Sequence, residues 1–298
     1  MNKIVIITGP TAVGKTKCGL KIAEAFNTDI INGDAFQIYK HMDIGTAKPT
    51  ISELKMIKHH LIDILEPSEE FNVYKYQNLV RNLIIEMLKN HKLPLIVGGS
   101  SLYLESIFLD YKFNEEKKNN QFEEKYNHLS NEKLHELLKS KDLDLANNIH
   151  PNNRKRILRY LEKIENGLEF DNHKSDKIYD ALVIYLNDDR DILYQRINQR
   201  VDQMMEDGLL DEVRKLDRTT ISKTAKQAIG YKELFMYLDG KYSLEEAVDK
   251  IKQSSRNYAK RQMTWFRNKD YIKEVMINPN DFNSTIEEIK SLIENFIK

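Results

Sequence analysis

The sequence predicts an α/β fold in which a parallel sheet is flanked by helices and interrupted by an α-helical insertion domain. Short apolar runs at residues 4–7, 95–97 and 181–186 are typical of buried strands, and helical patterns lie between them. Between residues 113 and 177 the pattern is helical and polar, without a strand signal. We therefore expect a discontinuous core of residues 1–112 and 178–298, with a helical insertion of residues 113–177.

Composition bounds the class of protein. The 298 residues are 41% hydrophobic, which suffices for a sizeable core, and 46 basic residues balance 46 acidic ones. Any nucleic-acid surface must therefore be local. The single cysteine, Cys18, excludes an internal disulfide and a multi-cysteine metal site, and we expect it to pack on the first helix. Because the sequence shows no signal-peptide or membrane-span pattern, we expect a cytoplasmic protein with no membrane partner. We also expect a monomer.

A phosphate-binding loop follows the first predicted strand. GPTAVGKT fits G-x-x-x-x-G-K-[ST] and stands between a strand and a helical pattern, which is the context this motif requires. Backbone N–H groups and the helix dipole favour a bound phosphate there, so the core resembles that of P-loop NTPases. The predicted phosphate ligands are Gly9, Pro10, Thr11, Ala12, Val13, Gly14, Lys15 and Thr16. Lys15 would reach terminal phosphates and the Thr16 hydroxyl would bind Mg²⁺, but the motif does not choose between ATP and another diphosphate.

Two polar residues follow predicted strands at the edge where open α/β sheets place their ligands. Asp34 comes after the strand at residues 29–32, and Ser100 after the strand at residues 95–97. Asp34 is a candidate general base, substrate contact or water-mediated metal ligand, and helix capping is the alternative. Ser100 places a hydroxyl at the end of its strand, and by itself it also suits a helix N-cap.

Basic residues cluster in three predicted helices. Lys155, Arg156 and Arg159 surround an apolar stripe, which suits either a solvated face or phosphate-backbone binding. Arg196 and Arg200 lie at i, i+4, where arginines beside a phosphate loop can stabilise a departing phosphate. The run from Lys252 to Lys269 holds no acid and includes Tyr258, Trp265 and Phe266, a composition suited to RNA. For Trp265 and Phe266 we favour core packing.

Two S-x-x-E patterns predict helix starts near the C-terminus. Ser243 with Glu246 and Ser284 with Glu287 have the spacing of capping boxes. We expect the final amphipathic helix to begin at Ser284.

Several blocks in order resemble the bacterial tRNA dimethylallyltransferase family. They are GPTAVGKT, DAFQIYKHMDIGTAKP, GGSSLY, HPNNRKRILRYLE, the stretch from Leu193 to Val213, AIGYK and SRNYAKRQMTWFR. Together they cover residues 4–268. The chain departs from the family pattern at Ala35, Phe36 and Tyr160, and has Ser100 where the family has threonine.

The resemblance implies a reaction and its residues. Dimethylallyl diphosphate would alkylate N6 of the adenosine 3′ of the anticodon, in tRNAs reading codons that begin with U, with Mg²⁺ as cofactor. Asp34, Ser100, Lys15 and Thr16 would be catalytic, and Arg200 or Arg214 would bind diphosphate. The implied contacts with the tRNA anticodon stem-loop are Asp34, Ala35, Phe36, Gln37, Ser100, Lys155, Arg156, Arg159, Gly230, Tyr231, Lys232, Arg256, Lys260 and Arg261.

Three other functions share parts of this pattern. A small-molecule kinase would use the phosphate loop but leaves the basic run at residues 252–269 without a role. A prenyltransferase of free adenine nucleotides would not need the helical insertion. The sequence lacks the N-K-x-D motif with which a GTPase-like protein reads its base. A GTPase-like or non-enzymatic RNA-binding role would also leave Asp34 unexplained.

Overall fold

The computed structural model describes residues 2–111, 113, 120–167 and 176–298. The chain divides into two compact units, one of Met1–Asp110 with Asp176–Lys298 and one of Tyr111–Ser175. The expected boundary at residue 112, and residues 115–119 of the charged stretch placed in the insertion, lie outside the described residues.

The first unit is built on a six-stranded parallel sheet with the order β3-β2-β4-β1-β5-β6. Its strands are β1 (Lys3–Thr8), β2 (Ile30–Asn32), β3 (His59–His60), β4 (Leu95–Val97), β5 (Asp180–Asn187) and β6 (Ile272–Met276). Central strand β1 pairs with β4 on one side and with β5 on the other. The carboxyl ends of β1, β2 and β4 therefore meet at one edge, which is where the phosphate loop, Asp34 and Ser100 follow their strands.

The described part of the chain holds thirteen α-helices and one 3₁₀ helix. They are α1 (Lys15–Ala25), α2 (Ile51–Met56), α3 (Val73–Lys89), α4 (Ser101–Phe108), α5 (Asn120–Lys125), α6 (Asn131–Lys141), α7 (Leu143–Asn147), α8 (Arg154–Glu165), α9 (Arg190–Glu206), α10 (Leu209–Lys215), the 3₁₀ helix Ala225–Gln227, α11 (Tyr231–Leu238), α12 (Leu244–Phe266) and α13 (Phe282–Ile297). Helices α5–α8 belong to the second unit and the rest to the first.

Helices α1 and α13 cover one face of the sheet. Cys18 and Ile22 from α1 pack with Ile289 and Ile293 from α13 against the apolar residues of β1. The expected packing role of Cys18 is confirmed, since its side chain is fully buried and burial raises the pKa of its thiol to about 12. This layer fixes the start of α1, and with it the phosphate loop.

The two predicted caps had different outcomes. Ser243 and Glu246 form a capping box at the start of α12, as predicted. Helix α13 begins at Phe282 instead of Ser284, because the Asp281 carboxylate accepts hydrogen bonds from the N–H groups of Asn283 and Ser284. The Ser284 hydroxyl donates to the Asp281 carbonyl, so the expected start of this helix is wrong by one half-turn.

The second unit has a core of its own. Leu134 and Leu138 of α6 and Ile157 and Leu161 of α8 are completely buried, so the apolar stripe predicted for α8 is confirmed. Arg154 donates from Nη1 to the Leu129 carbonyl and from Nη2 to the Tyr126 carbonyl, both at 2.7 Å. This arginine therefore holds the start of α8 against the segment before α6.

Candidate functional site

The phosphate loop runs from β1 into α1 with several residues in unusual backbone conformations. Ala12 and Gly14 have positive φ angles of 65° and 100°. A side chain at Gly9 would place its Cβ 2.4 Å from the Leu186 carbonyl oxygen, so only glycine fits where the loop passes the end of β5. Lys15 Nζ donates to the carbonyls of Gly9 at 3.0 Å and Pro10 at 2.8 Å. The loop thus lies between β1 and α1, as the motif predicts, and its lysine lies against the loop carbonyls.

Arg200 of α9 lies beside this loop. Its Nη1 donates to the Thr11 hydroxyl at 3.5 Å, and burial lowers its pKa while Asp34 opposes that shift. Burial and the Arg200 charge lower the pKa of Lys15 to about 7, against the opposing influence of Asp34. Arg214 binds Asp211 at 2.9 Å on the exposed surface of α10. Of the two arginines considered for diphosphate, the structure therefore brings Arg200 to the loop.

Asp34 lies in a turn after β2. Asn32 accepts from the Asp34 N–H at 2.9 Å and donates to the Asp34 carbonyl at 3.1 Å, while Asp34 Oδ1 accepts from the Phe36 N–H at 2.8 Å. The next helix after Asp34 is α2, which begins at Ile51, so the helix-capping alternative for Asp34 is wrong. Burial raises the pKa of Asp34, and the Phe36 N–H, Lys15 and Arg200 oppose it.

Ser100 joins the loop after β4 to the loop after β2. It stands at the N-cap position of α4, but its hydroxyl makes no capping bond there. Instead Ser100 Oγ accepts from the Ala35 N–H at 3.0 Å. A Cβ on Gly98 would lie 2.1 Å from the carbonyl carbon of Gly33, so the two loops touch through bare backbone. Ser100 thereby positions the residue next to Asp34.

A cavity of about 270 Å³ opens beside these groups. Its polar walls include Thr11, Asp34, Arg200 and Tyr258, and its apolar walls come mainly from α9, α12 and the segment before α11. The lining residues are Thr11, Asp34, Phe36, Gly45, Thr46, Ala47, Ile197, Arg200, Val201, Met204, Gln227, Ala228, Ile229, Ile251, Ser255, Tyr258 and Arg261. A site with one charged end and apolar walls suits a ligand of the same character.

Two site residues were missed by sequence reasoning. Gln262 is buried on α12 between the phosphate loop and Gly99. Glu212 of α10 accepts hydrogen bonds from the N–H groups of Asp43, Ile44 and Gly45, at 2.9 to 3.2 Å. A polar residue on the buried stripe of Tyr258, Gln262 and Phe266 was the available signal for Gln262. For Glu212 the available signal was its place in the family-like stretch from Leu193 to Val213; its bonds to backbone groups 167 to 169 residues away left no local signal.

Tyr231 corrects one expected RNA contact. Its side chain is completely buried and its hydroxyl donates to Glu212 Oε1, so this side chain supports the wall of the cavity and is not presented to RNA. Gly230 is also buried, with its N–H bound to Glu233, whereas Lys232 is exposed.

The basic run of residues 252–269 is partly neutralised by acids from other helices. Lys252 pairs with Asp202 at 2.6 Å, and Lys269 pairs with Glu105 at 2.7 Å. Arg256 donates to Asn198, whereas Lys260 and Arg261 are exposed, as are Lys155, Arg156 and Arg159 of α8. Phe266 is buried as expected, but the packing prediction is wrong for Trp265, which is 38% exposed.

The family model of the IPP transferases matches residues 37–269. The chain belongs to the IPP transferase family. The tRNA dimethylallyltransferase of Bacillus subtilis is 49% identical over 276 residues, covering 89% of this chain and 88% of the relative. That of Bacillus pumilus is 46% identical over 301 residues, covering 97% and 95%.

Solved structures of IPP transferases share the fold. The full-length tRNA isopentenylpyrophosphate transferase of Bacillus halodurans has a TM-score of 0.76 and 42% identity, covering 99% of this chain and 96% of that one. A eukaryotic dimethylallyltransferase acting on tRNA has a TM-score of 0.83 and 27% identity, covering 100% and 80%. The resemblance to this family, the P-loop-like α/β fold and the assignment to transferase enzymes are therefore confirmed. In the described part of this IPP transferase no helix is long and apolar enough to cross a membrane.

Proposed function

We propose that this chain is a tRNA dimethylallyltransferase. It moves the dimethylallyl group of dimethylallyl diphosphate to N6 of the adenosine 3′ of the anticodon, in tRNAs reading codons that begin with U. A bond forms between N6 and the allylic carbon, and the carbon–oxygen bond to diphosphate breaks; N6 loses a proton, and the electrons of the broken bond leave with diphosphate. The observation that carries the proposal is that Asp34 and Arg200 line one cavity, with Lys15 close enough for both of their charges to shift its pKa.

The phosphate loop binds the leaving group. Two cations converge there, since Arg200 contacts Thr11 and the Lys15 ammonium lies over the loop carbonyls. Both have pKa values lowered by burial, which an anion would reverse. Fixed cations in a poorly hydrated site stabilise the negative charge that develops as the carbon–oxygen bond breaks.

Asp34 accepts the N6 proton. The adenine amine is a weak nucleophile because its lone pair is delocalised into the ring, so removing its proton aids attack. Burial raises the pKa of Asp34 and makes its carboxylate a stronger base, while Lys15, Arg200 and the Phe36 N–H keep the ionised form accessible. An anticodon-loop adenosine can enter the cavity without opening a duplex.

Thr16 is the protein ligand for Mg²⁺. It is the second residue of α1, directly after the phosphate-binding lysine. In the described residues no group of three or more His, Cys, Asp or Glu side chains is placed to hold a metal. The Thr16 hydroxyl fits Mg²⁺ in a phosphate site, because there one or two protein oxygens are completed by water and substrate phosphates. When bound, Mg²⁺ would offset charge on the diphosphate.

Exposed basic residues in each unit bind the anticodon stem-loop. Lys155, Arg156 and Arg159 serve in the second unit, and Lys232, Lys260 and Arg261 in the first. Arg256 stays a proposed contact despite its bond to Asn198, as do Ala35, Phe36 and Gln37 beside the cavity. We propose that the enzyme acts as a cytoplasmic monomer on tRNA and dimethylallyl diphosphate.

The test is a transfer assay with Mg²⁺, radiolabelled dimethylallyl diphosphate and unmodified tRNA, with AMP and ATP as parallel acceptors. Label in tRNA alone supports the proposal. Label in AMP would assign the enzyme to free nucleotides, and ATP turnover without transfer would make it a kinase.

Asp34→Asn should lower kcat by about 10²- to 10⁴-fold with RNA affinity retained. Unchanged turnover in this variant would remove the assignment of the base.

A further inference from the structure

One buried side chain connects the loops that hold the two reaction partners. Gln262 is 2% exposed, and its Oε1 accepts from the Thr11 N–H at 2.9 Å. Its Nε2 donates to the Gly99 carbonyl at 2.8 Å. Thr11 belongs to the phosphate loop, and Gly99 precedes Ser100, whose hydroxyl holds Ala35 beside Asp34. One carboxamide therefore links the phosphate loop, by hydrogen bonds, to the loop that holds the proposed base.

The chemistry of the two partners selects glutamine. The Thr11 N–H can only donate and the Gly99 carbonyl can only accept, so the bridging group must accept at one atom and donate at another. A carboxamide does both, whereas a carboxylate lacks the donor and a thioether forms neither bond well. Without the carboxamide, the Thr11 N–H would lose this acceptor and the Gly99 carbonyl would keep the longer bond from the Tyr258 hydroxyl at 3.4 Å, which would allow either loop to shift.

Because Gly99 has no side chain, the Gln262 carboxamide can approach its backbone closely. A Cβ at this position would lie 2.4 Å from Gln262 Nε2 and 3.5 Å from Lys15 Nζ. Tyr258, which lines the cavity one helical turn before Gln262, also donates to the Gly99 carbonyl at 3.4 Å. The carboxamide thus lies under the phosphate-binding lysine and against the wall of the cavity.

We propose that Gln262 is a positioning residue that sets the distance between the phosphate loop and the Asp34–Ser100 region. The inference rests on the proposed function and adds a residue that acts through Thr11 and Gly99 without touching substrate. Transfer requires the diphosphate carbon and N6 to be aligned, and a misplacement of about 1 Å costs roughly 10²-fold in rate. Loss of the bridge should therefore lower kcat more than it raises the KM for RNA.

The experiment compares Gln262→Met with wild-type full-length protein. Methionine keeps the length and burial of the side chain and removes both hydrogen bonds. We expect kcat to fall about 10- to 100-fold and the Kd of inorganic diphosphate with Mg²⁺ to rise several-fold, with unchanged affinity for an anticodon stem-loop RNA. Gly99→Ala should displace the same carboxamide, so the double variant should lose little more than either single variant.

Gln77→Met is the matched control. Gln77 is also buried, on α3, and its Nε2 donates to the Ser106 carbonyl at 2.8 Å. It should lower stability to a similar degree and leave kcat within about twofold. A kcat for Gln262→Met within twofold of wild type, or additive losses with Gly99→Ala, would overturn the inference. Diphosphate binding separates it from the proposed function, because the bridge can be tested even if wild-type protein transfers nothing to tRNA.

Discussion

Lys15, Asp34 and Arg200 lie where burial disfavours their charged forms. The pKa of each is moved by burial, and each opposes or reinforces the shift of its neighbours. Lys15, with a pKa lowered to about 7, is the group most ready to change protonation when a polyanion binds. At the scale of single residues, the site is thus prepared for a charged ligand.

Proton uptake on diphosphate binding follows from the pKa of Lys15, about 7. Above that pH the unliganded lysine is mostly neutral, and a bound polyanion should restore its pKa towards the ordinary value. We expect uptake of roughly half a proton at pH 7 and nearly one at pH 8.5. Calorimetry in buffers of different ionisation enthalpy measures it. Lys15→Arg, which stays charged, should lack this component; equal uptake in both proteins would contradict the pKa.

Replacement of Arg200 by alanine tests its proposed role at the phosphate loop, and the same replacement of Arg214 is the control. Arg200→Ala removes a buried cation beside Thr11 and should lower kcat by roughly 10²-fold, the scale of losing one charge-stabilising group. Arg214→Ala removes an exposed partner of Asp211 and should change kcat and stability little. Steady-state kinetics at saturating tRNA compare the two, and equal losses would mean that the loop contact of Arg200 has no special role.

Helix α12 has two working faces. Ala259, Gln262 and Phe266 are buried, whereas Lys260, Arg261 and Trp265 are exposed. Trp265 lies one turn beyond Arg261, and the Lys269 Nζ is 5.7 Å from its ring. The buried face contacts the phosphate loop through Gln262, while the exposed face is available to RNA.

The exposed face of α12 can be observed through Trp265, the only tryptophan in the chain. RNA bound along this face should quench its fluorescence and protect it from iodide, because bases stack on exposed aromatic rings. Trp265→Phe should bind RNA with similar affinity without the signal, and Trp265→Ala should bind more weakly. Unchanged fluorescence at saturating RNA would place the anticodon loop away from α12.

The sequence predicted elements whose signal is local and missed those that depend on distant partners. Strand β1, the phosphate loop and the stripe of α8 followed from adjacent residues. Strand β6 was missed because only Val275 of its five residues is buried and its place at the sheet edge depends on β5. The environment of Trp265 and the partners of Gln262 likewise depend on residues far away in sequence.

The whole molecule combines a sheet-based unit with a helical unit that has a separate core. Arg154 supports the fold of the second unit, while Lys155, Arg156 and Arg159 lie outward on the same helix. Stability and the proposed RNA binding therefore depend on neighbouring residues, whose roles mutation can separate.

Salt dependence should separate these roles on α8. Replacing Lys155, Arg156 and Arg159 with alanine should flatten the plot of log Kd for tRNA against log salt by about 0.7 to 0.9 per lost phosphate contact. Arg154→Ala should lower the thermal midpoint of the second unit and leave the slope unchanged at temperatures where it is folded. Binding titrations at several salt concentrations and thermal unfolding provide both readings; an unaltered slope in the triple variant would remove α8 from the RNA surface.

The burial of Cys18 makes the wild-type chain a convenient host for site-specific probes. Its thiol is buried and, with a pKa of about 12, remains protonated at neutral pH, so maleimide reagents should not react with it. A cysteine introduced at an exposed position of either unit would then be the sole reactive thiol. Fluorophores or spin labels can therefore be attached without first removing a native residue from the layer that supports the phosphate loop.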